Sequence, residues 1–588
     1  MKIKMYLNDQ CSFPIKLLGT LIHLYYTNAS PGNPKPNVVI LIADDLGIGD
    51  LSCYGSQVVK TRSIDTLAAQ GLKFNRMYSM SSDTGTMAAI ITGMYPVRKG
   101  LGKGNLGWSS FWSLAQSGGL SGQDPNIASL YTSSSMKHHA MFMGRWDLGA
   151  GGQGQHLPGS TGFVSFYGTP MSHSSGCSSN QTFRFTDWDF FLHLLRQNQI
   201  AIASITLACL LPRLFGIKRE VSLFLLIVVG GLCLGVLRMY CWMGPLSPNS
   251  CVLYRDNVII EQPYQDDKMT QRVTLEAVNY LKYRRSKTFF LMVSYSQPKY
   301  PAFSSDQFKN KSGISPYYDA LLEIDWSVGK ILQTLENEGI SNETVVMFLS
   351  DNGPQLIDIF TGNKIHSSMT GQNILHSGQK KVTLKGEKGS SYEGGIRVPA
   401  MIRWPGHIPP GTETDVVASV LDIFPTVIDI SEIKKKYQFT KFDGESLVSL
   451  FKNPKQKTDT IHSNLFHICD LSKSGSDWAV TAGDIKFHFT ECTKDKGCKS
   501  HGAPLVYNIT NDPGETVPLS AKEHAGILYN IQLDMAHSNL MFNGPEISQT
   551  SQFDEIPLPW NVPCARKHLL FCYKELDHKE NFNSLNGD

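Results

Sequence analysis

The chain has 588 residues, which is too many for a single hydrophobic core, so two or more domains are expected. Its 54 lysine and arginine residues nearly balance its 51 aspartate and glutamate residues, which gives a formal net charge of +3. This balance, with no prominent basic run, argues against a nucleic-acid-binding protein. A hydrophobic content of 41% suits a globular chain that carries a membrane element.

The first 27 residues are predicted to form a secretory signal peptide. Lys2, Lys4 and Lys16 precede an apolar run at 17–26, and small residues follow at 28–30. The chain also contains Asn-x-Ser/Thr sequons, which together with a signal peptide favour passage through the secretory pathway. The sequons are at Asn28, Asn180, Asn310, Asn342 and Asn508, and the last four are the candidate glycosylation sites.

The twelve cysteines are an even set of modest density. In a cytosolic protein they would be unpaired core residues, whereas a secreted context allows disulfides. The candidates for pairing are Cys469, Cys492, Cys498, Cys564 and Cys572, and the sequence leaves their connectivity open.

From Pro36 onward, apolar runs typical of buried strands alternate with helical patterns. Strands are predicted at 38–43, 289–294 and 345–349, and helices at 61–71 and 317–335. This alternation predicts an α/β core with a mainly parallel sheet. Functional sites in such sheets lie at the carboxyl ends of the strands. The residues at such positions are Asp44, Asp45, Asp351 and Asn352.

Two apolar segments of 17 residues, at 200–216 and 221–237, interrupt this pattern. As a helix each would span about 25 Å, slightly less than the roughly 30 Å hydrocarbon core of a bilayer. Neither segment has a polar face, which favours a transmembrane helical hairpin over 191–245 and contact with the membrane from Ile200 to Leu237. The basic residues at the hairpin tip predict a cytosolic tip and luminal flanking domains. The alternative is a buried core hairpin.

The C-terminal part of the chain is more irregular. Short strands are predicted at 485–489 and 505–508, within a smaller C-terminal α+β domain at 456–574. A polar tail follows at 575–588 and is predicted to be disordered.

The segment 80–96 begins with small polar residues, as expected of a loop that leads into a helix, and continues as an apolar helical pattern that stops at Gly93. A helix N-terminus can hold an anion or direct a nucleophile, although a capped surface helix is the simpler interpretation. Its companion segments are the run that ends in Asp44-Asp45, the run that leads into Ser350-Asp351-Asn352-Gly353, and the stretch from Lys388 to Pro399.

In this order and at these separations, the four segments resemble the sulfatase family, and most closely its steryl-sulfatase and arylsulfatase branch. The likeness extends from Pro36 to beyond Pro425. It implies an alkaline-phosphatase-like sulfatase fold, with a large mixed and mainly parallel sheet flanked by helices. The catalytic-type domain would comprise 36–190 and 246–455, with the transmembrane hairpin inserted between them.

The resemblance also implies one calcium ion per chain. Hard divalent cations prefer oxygen ligands. An Asp-Asp pair after a strand is by itself an ordinary turn, but in the family these positions hold calcium. The predicted metal ligands are Asp44, Asp45, Asp351 and Asn352, and Lys388 matches a lysine of the family that contacts sulfate.

The nucleophile motif departs from the family pattern. Sulfatases carry Cys-x-Pro-x-Arg, in which the cysteine is oxidised to formylglycine. Here the three positions are Asp83, Gly85 and Met87, and a shift of register by one residue restores none of them. We therefore expect no formylglycine in this chain.

Histidine positions in two further segments are also altered. In the segment that matches the family's Gly-Lys-Trp-His, the residues are Gly144, Arg145, Trp146 and Asp147. The cation is retained as Arg145, but an aspartate replaces the histidine. In the other segment, Gln297 and Lys299 stand where histidines would be, and neither is a ready acid or base at neutral pH.

The substitutions make the pocket more negative, so it should bind sulfate less well and a cation better. We predict catalytic-type positions at Asp83, Arg145 and Lys388, and substrate-facing positions at Lys299 and Asp147. The favoured hypothesis is a membrane-anchored luminal glycoprotein of the endoplasmic reticulum or another secretory membrane that keeps calcium and has lost ordinary turnover.

Two alternatives stay open at this point. One is an active hydrolase that uses Thr84 or Thr86 as its nucleophile. Its substrate would be a sulfate ester or, alternatively, a phosphate ester. The other is a binding or partner-regulating role, in a homo-oligomer or in a hetero-oligomer with related sulfatases. A fold alone does not decide between them.

Overall fold

The computed structural model describes residues 35–101, 119–122, 125–132, 139–151, 154–171, 177, 251–284, 288–358, 363–377, 380–433, 442–454, 461–472, 475–493, 497–538, 567–568 and 571–572. The predicted signal peptide, the predicted membrane hairpin, the polar tail and the sequons at Asn28 and Asn180 lie outside these ranges. Among the described helices, none combines the length and the apolar character needed to cross a bilayer.

Regular structure within the described residues alternates between strands and helices, as predicted. The α-helices are α1 Arg62–Ala69, α2 Asp83–Thr92, α3 Ile127–Thr132, α4 Met269–Arg284, α5 Pro316–Asn337, α6 Glu393–Ile396, α7 Ile423–Ile430, α8 Val448–Lys452 and α9 Ala525–Ser538. The strands of the first half are β1 Asn37–Asp44, β2 Leu72–Tyr78, β3 His139–Arg145, β4 Ser165–Thr169, β5 Leu253–Arg255, β6 Val258–Glu261 and β7 Phe289–Pro298. Those of the second half are β8 Thr344–Ser350, β9 Ile374–Ser377, β10 Lys380–Thr383, β11 Arg397–Arg403, β12 Thr412–Thr414, β13 Ala418–Ser419, β14 Leu465–Ser472, β15 Gly475–Ala482, β16 Ile485–Thr493, β17 Gly497–Asn508, β18 Lys567–His568 and β19 Phe571–Cys572.

The main sheet has eleven strands in the order β12-β2-β11-β8-β1-β7-β3-β4-β5-β6, with β13 beside β2. Its centre, from β8 to β4, is parallel throughout. On one side β11 runs antiparallel to both β8 and β2, so β2 again has the direction of the central strands. The prediction of a mixed, mainly parallel sheet is confirmed.

The central strands are buried on both faces, which explains their unbroken apolar sequences. Along β1, Val38, Ile40 and Ile42 pack into one hydrophobic core, while Val39 and Leu41 pack into the other. Helices α1, α4 and α5 contribute to the second core, and α2, α3 and α7 to the first. The parallel strands therefore form the central layer of a three-layer α/β domain.

The predicted C-terminal sheet is observed as the antiparallel order β14-β15-β16-β17. Phe466, Val480, Phe487 and Val506 of this sheet lie in the same hydrophobic core as α2 and α7. The C-terminal sheet is thus packed directly against the main domain.

The helix after β2 begins earlier than the sequence suggested. Its small polar first half was predicted to be a loop, but α2 starts at Asp83. Ser82 is the N-cap residue, and its Oγ accepts a hydrogen bond from the Gly85 amide at 3.3 Å. Gly93 ends the helix in the left-handed region, at φ 68°, as predicted. Asp83 is consequently the first helical residue.

A disulfide joins Cys177 to Cys251, a pair that was absent from the predicted candidates. The two residues are 74 positions apart in the sequence and flank the predicted membrane hairpin. Cys498, which was among the candidates, is also disulfide-bonded. The disulfides indicate an oxidising environment, in line with the expected secretory route.

Candidate active site

Functional side chains converge on the carboxyl edge of the parallel sheet. Asp44 ends β1 and Asp45 follows it, and Asp351 and Asn352 follow β8. Arg145 ends β3. Lys299 follows β7, and Asp83 begins the helix after β2. Because these strands run in one direction, their carboxyl ends bring residues from distant parts of the sequence together.

Four carboxylates form a compact acidic cluster. Asp44, Asp45, Asp83 and Asp351 each offer an oxygen, and these oxygens lie within 4.8 Å of one another. Asp45 has a left-handed backbone, at φ 58°, which turns the chain into the site. Its amide donates to Asp351 Oδ1 at 3.0 Å, and Asn352 Nδ2 donates to its Oδ1 at 2.7 Å. The predicted metal ligands are therefore neighbours.

The acidic cluster suits a hard cation such as calcium. Asp45 Oδ2 and Asn352 Oδ1 are buried and have no hydrogen-bond partner within the described part of the chain. Buried polar atoms of this kind call for a bound ion or water. All the donor atoms are oxygens, mostly from carboxylates, as calcium prefers. The fit supports a calcium site, while the identity of the metal stays a prediction.

Arg145 forms ion pairs with four carboxylates of the site. Its side chain is fully buried. Nη1 lies 2.9 Å from Asp83, 2.5 Å from Asp147 and 3.4 Å from Asp44, and Nη2 pairs with Asp351. The sequence suggested a retained cation at this position but not that it would contact four carboxylates.

Two lysines approach Asp83 from other segments. Lys299 Nζ donates to Asp83 Oδ2 at 3.0 Å and lies 3.9 Å from Asp44. Lys388, in the loop before α6, donates to Asp45 Oδ1 at 2.6 Å and also pairs with Asp83 Oδ1. Burial alone would lower the lysine pKa values, but the surrounding carboxylates outweigh it and raise them. Both lysines are therefore charged at neutral pH.

Asp83 is the carboxylate best matched by positive charge. Burial would raise its pKa, but Lys299, Lys388 and Arg145 outweigh burial and hold the pKa well below the usual range. By contrast, burial raises the pKa of Asp44 and Asp147, and raises that of Asp351 to about 6, against the lowering effect of Arg145. Asp83 is thus ionised, whereas its neighbours would gain from a bound cation.

The charge balance of the site favours a cation over an anion. Five carboxylates, Asp44, Asp45, Asp83, Asp147 and Asp351, face three cations, Arg145, Lys299 and Lys388, through the ion pairs described above. Five less three leaves a formal charge of −2 when all are ionised. One divalent cation neutralises that excess, whereas sulfate would add to it.

The positions that lack the expected histidines hold structural residues instead. Gln297 is buried, and its side-chain oxygen accepts a hydrogen bond from the Phe303 amide at 2.8 Å. Asp147 has a left-handed backbone, at φ 58°, and its carboxylate is paired with Arg145. These residues stabilise the site but are not placed as neutral-pH proton donors or acceptors.

The two candidate threonine nucleophiles differ in their surroundings. Thr86 accepts a hydrogen bond from the Met80 amide at 3.1 Å and donates to the Asp351 carbonyl, so its hydroxyl joins α2 to the loop after β8. Thr84 is also buried, one residue beyond Asp83. The hydrogen bonds of Thr86 leave Thr84 as the better placed of the two.

Asp50, which the sequence reasoning missed, supports the loop after Asp45. It accepts hydrogen bonds from the Gly47 and Gln372 amides and from the Tyr317 and Tyr318 hydroxyls. Burial raises its pKa to about 7. The available signal in the sequence was a short stretch with two glycines and an aspartate, Gly47-Ile-Gly49-Asp50, after the strand.

All nine predicted metal, catalytic-type and substrate-facing residues thus lie in one contact network, although their individual roles stay predictions. A sulfatase family model matches residues 36–433, and a model described as the C-terminal region of aryl-sulfatase matches 460–574. The chain belongs to the sulfatase family, whose members hydrolyse sulfate esters. The resemblance inferred from the motifs is confirmed.

Two relatives illustrate the branch. The chain is 31% identical to the steryl-sulfatase of Rattus norvegicus, over 95% of this chain and 99% of the relative. It is 29% identical to arylsulfatase H of Homo sapiens, over 91% and 96% of the two chains. Among solved structures, the PsFucS1 sulfatase from Pseudoalteromonas sp. superimposes with a TM-score of 0.63 at 21% identity, over 91% of this chain and 95% of that one. This last likeness concerns the fold.

Proposed function

We propose that this chain is a calcium-binding sulfatase-family glycoprotein that has lost the hydrolysis of sulfate esters. The observation that carries the proposal is the position of Asp83. It stands at the first residue of α2, where the motif resemblance places the nucleophile, and it is paired with Arg145, Lys299 and Lys388. A carboxylate cannot form the hydrated aldehyde that sulfatases use.

The cations of the site are also engaged elsewhere. A sulfate ester requires positive groups that stabilise the charge of its transition state. Here the three cations are shared among five carboxylates, and the histidine positions hold Gln297, Lys299 and Asp147. Both substrate binding and proton transfer are therefore impaired.

Calcium would be held by Asp44, Asp45, Asp351 and Asn352, with Asp83 within reach of the same position. When bound, the ion would supply positive charge beside the first turn of α2. The carboxylates then orient one another through Asn352 and the Asp45 amide, and Arg145 fixes Asp351. In this proposal the metal stabilises the fold of the site.

The cellular setting that we propose is a secretory membrane, with both main domains luminal. The Cys177–Cys251 disulfide supports an oxidising compartment. Asn310 and Asn342 are exposed, and Asn508 is partly exposed, so each is accessible for glycosylation. The predicted anchor is the segment from Ile200 to Leu237. Oligomerisation with related sulfatases is a further part of this hypothesis.

The competing function is an active ester hydrolase with Thr84 as nucleophile. Its position in the first turn of α2, beside Asp83, is the observation in its favour. Against it, the three positions where the resemblance expects histidine hold Asp147, Gln297 and Lys299, and the neighbouring pocket is acidic.

Turnover of fluorogenic aryl sulfates and aryl phosphates by the purified full-length chain tests both functions. An active arylsulfatase prepared in the same way serves as the positive control. We expect no release above buffer, with calcium present or after chelation. Release that Thr84→Ala abolishes would establish the competing function and overturn ours. Calcium binding measured by calorimetry on the same preparation tests the metal site independently.

A further inference from the structure

We propose that Asp83 is an intramolecular ligand of an anion pocket formed by Arg145, Lys299 and Lys388, and that removing its carboxylate makes this pocket able to bind a tetrahedral dianion such as sulfate. This inference rests on the proposed loss of turnover, but goes further. It states that the pocket is occupied by its own side chain rather than dismantled.

The first argument is the number of cations that Asp83 engages. Oδ2 lies 2.9 Å from Arg145 Nη1 and 3.0 Å from Lys299 Nζ, while Oδ1 pairs with Lys388. Of the five carboxylates in the site, Asp83 is the only one whose ion pairs, as the structure describes them, include all three cations. A charge-assisted pair of this kind is strong because the surroundings are largely dry.

The second argument is that the cations come from separate elements. Arg145 ends β3, Lys299 follows β7, and Lys388 precedes α6. Each is held in place by a further carboxylate: Asp351 for Arg145, Asp44 for Lys299 and Asp45 for Lys388. These supports remain when Asp83 is replaced, so the three cations stay close together around an open position.

The third argument is access. The side chain of Asp83 is 16% exposed and those of Lys299 and Lys388 are 16% and 12% exposed, whereas Arg145 is fully buried. The site is thus partly open to solvent at Asp83, Lys299 and Lys388. A small anion could reach the cations from that side, and the N-terminus of the ten-residue helix α2 would add favourable partial charge.

The alternative role for Asp83 is that of a simple calcium ligand, since its oxygen lies with those of Asp44, Asp45 and Asp351. The two roles predict different outcomes when the carboxylate is removed. If Asp83 is only a calcium ligand, its removal weakens the calcium site and does not raise the affinity for anions. If Asp83 is an intramolecular ligand of the anion pocket, its removal leaves a pocket that binds sulfate.

The experiment is a sulfate titration of the full-length chain at constant ionic strength and saturating calcium, followed by calorimetry and by thermal unfolding. Chloride replaces sulfate in the reference. We expect no saturable sulfate effect in the wild type. Asp83→Ala should bind sulfate at least about tenfold more tightly and show a saturable rise in Tm.

The matched control is Asp147→Ala, which also removes one carboxylate beside Arg145. Within the described residues, Asp147 forms no ion pair with Lys299 or Lys388. If it gains as much sulfate affinity as Asp83→Ala, general electrostatics explains the effect and the proposal is wrong. Asp83→Asn, which keeps the shape and removes the charge, provides the same test should the alanine variant fail to fold.

The two proposals can fail separately. Hydrolysis of sulfate esters by the wild type would overturn the loss of turnover. A folded Asp83→Ala or Asp83→Asn protein that binds sulfate no better than the wild type would overturn the role of Asp83 as an internal ligand, whatever the activity of the wild type.

Discussion

Lys486 Nζ donates to Glu393 Oε1 at 2.9 Å, and both side chains are completely buried. Lys486 belongs to β16 of the C-terminal sheet, whereas Glu393 begins α6 of the main domain. Arg397 lies 3.2 Å from the other Glu393 oxygen, and Glu515 lies 3.3 Å from Lys486. This ion-pair network joins the two sheets through their common core.

Removing the charge of Glu393 should destabilise the protein strongly. Glu393→Gln removes the negative charge that Lys486 pairs with while Lys486 stays buried. Breaking a buried ion pair in this way costs about 3–5 kcal/mol. The free energy of unfolding in urea is the measurement. Glu336→Gln is the matched control, because Glu336 lies 3.7 Å from Arg403 but is 58% exposed. Its cost should stay below about 1 kcal/mol, and equal costs for the two variants would contradict the prediction.

The buried carboxyl of Asp50 should make stability depend on pH. Burial raises its pKa from 3.8 to about 7. Between these values the folded state binds more protons than the unfolded state, so the stability that depends on protonated Asp50 is complete below about pH 4 and is lost as the pH rises through about 7. Asp50→Asn, which is neutral throughout, should gain up to about 4 kcal/mol relative to the wild type over this range.

The Asp50 experiment compares unfolding free energies at pH 4 and pH 7. Other buried carboxyls contribute equally to wild type and variant, so the difference between the two proteins isolates Asp50. The exposed Asp306 provides the control, and Asp306→Asn should follow the wild-type profile. Parallel profiles for Asp50→Asn and the wild type would show that the Asp50 carboxyl is ionised in the folded protein.

Calcium should stabilise the chain through the acidic cluster. A ligand at 100 times its Kd adds about 2.7 kcal/mol to the free energy of unfolding. Asp351→Asn should lower the affinity for calcium by at least about tenfold, because it removes one of the ligand charges that set this affinity. The measurement is the rise in Tm on adding calcium. Asp443→Asn, which removes a partner of Arg98 outside the cluster, should keep that rise.

The Cys177–Cys251 disulfide should contribute substantially to stability. It closes a loop of more than 70 residues, for which chain entropy predicts about 4 kcal/mol. Cys177→Ser with Cys251→Ser should lower the free energy of unfolding by about 2–5 kcal/mol. A reductant should then have less effect on the double variant than on the wild type. An unchanged stability would indicate that the denatured chain is already compact in this region.

The parts of the structure that follow from local pattern were predictable. The apolar runs at 38–43, 289–294 and 345–349 lie in β1, β7 and β8, because strands buried on both faces need uninterrupted apolar sequence. Because functional sites form at the carboxyl ends of parallel strands, the acidic residues at the ends of β1 and β8 were predicted to lie together.

Contacts that depend on tertiary distance were not predictable. Nothing in the spacing of Cys177 and Cys251 distinguishes this pair among twelve cysteines. The bridging of four carboxylates by Arg145 requires knowing the sheet order, because Asp44, Asp83 and Asp351 come from different strands and a helix. The start of α2 at Asp83 depended on the cap by Ser82 rather than on apolar periodicity.

The Cα atoms of Cys177 and Cys251 are 5.7 Å apart, so the two residues that bracket positions 178–250 lie almost side by side. Two residues of extended chain span about 7 Å, which is more than this gap. The pairing of β4 with β5 on either side of it therefore does not depend on the length of residues 178–250. A short linker could replace that segment, and a different sequence could be inserted at the same place. The sequence of residues 178–250 and the ligand of the pocket are consequently separable properties, which evolution or protein engineering can alter one at a time.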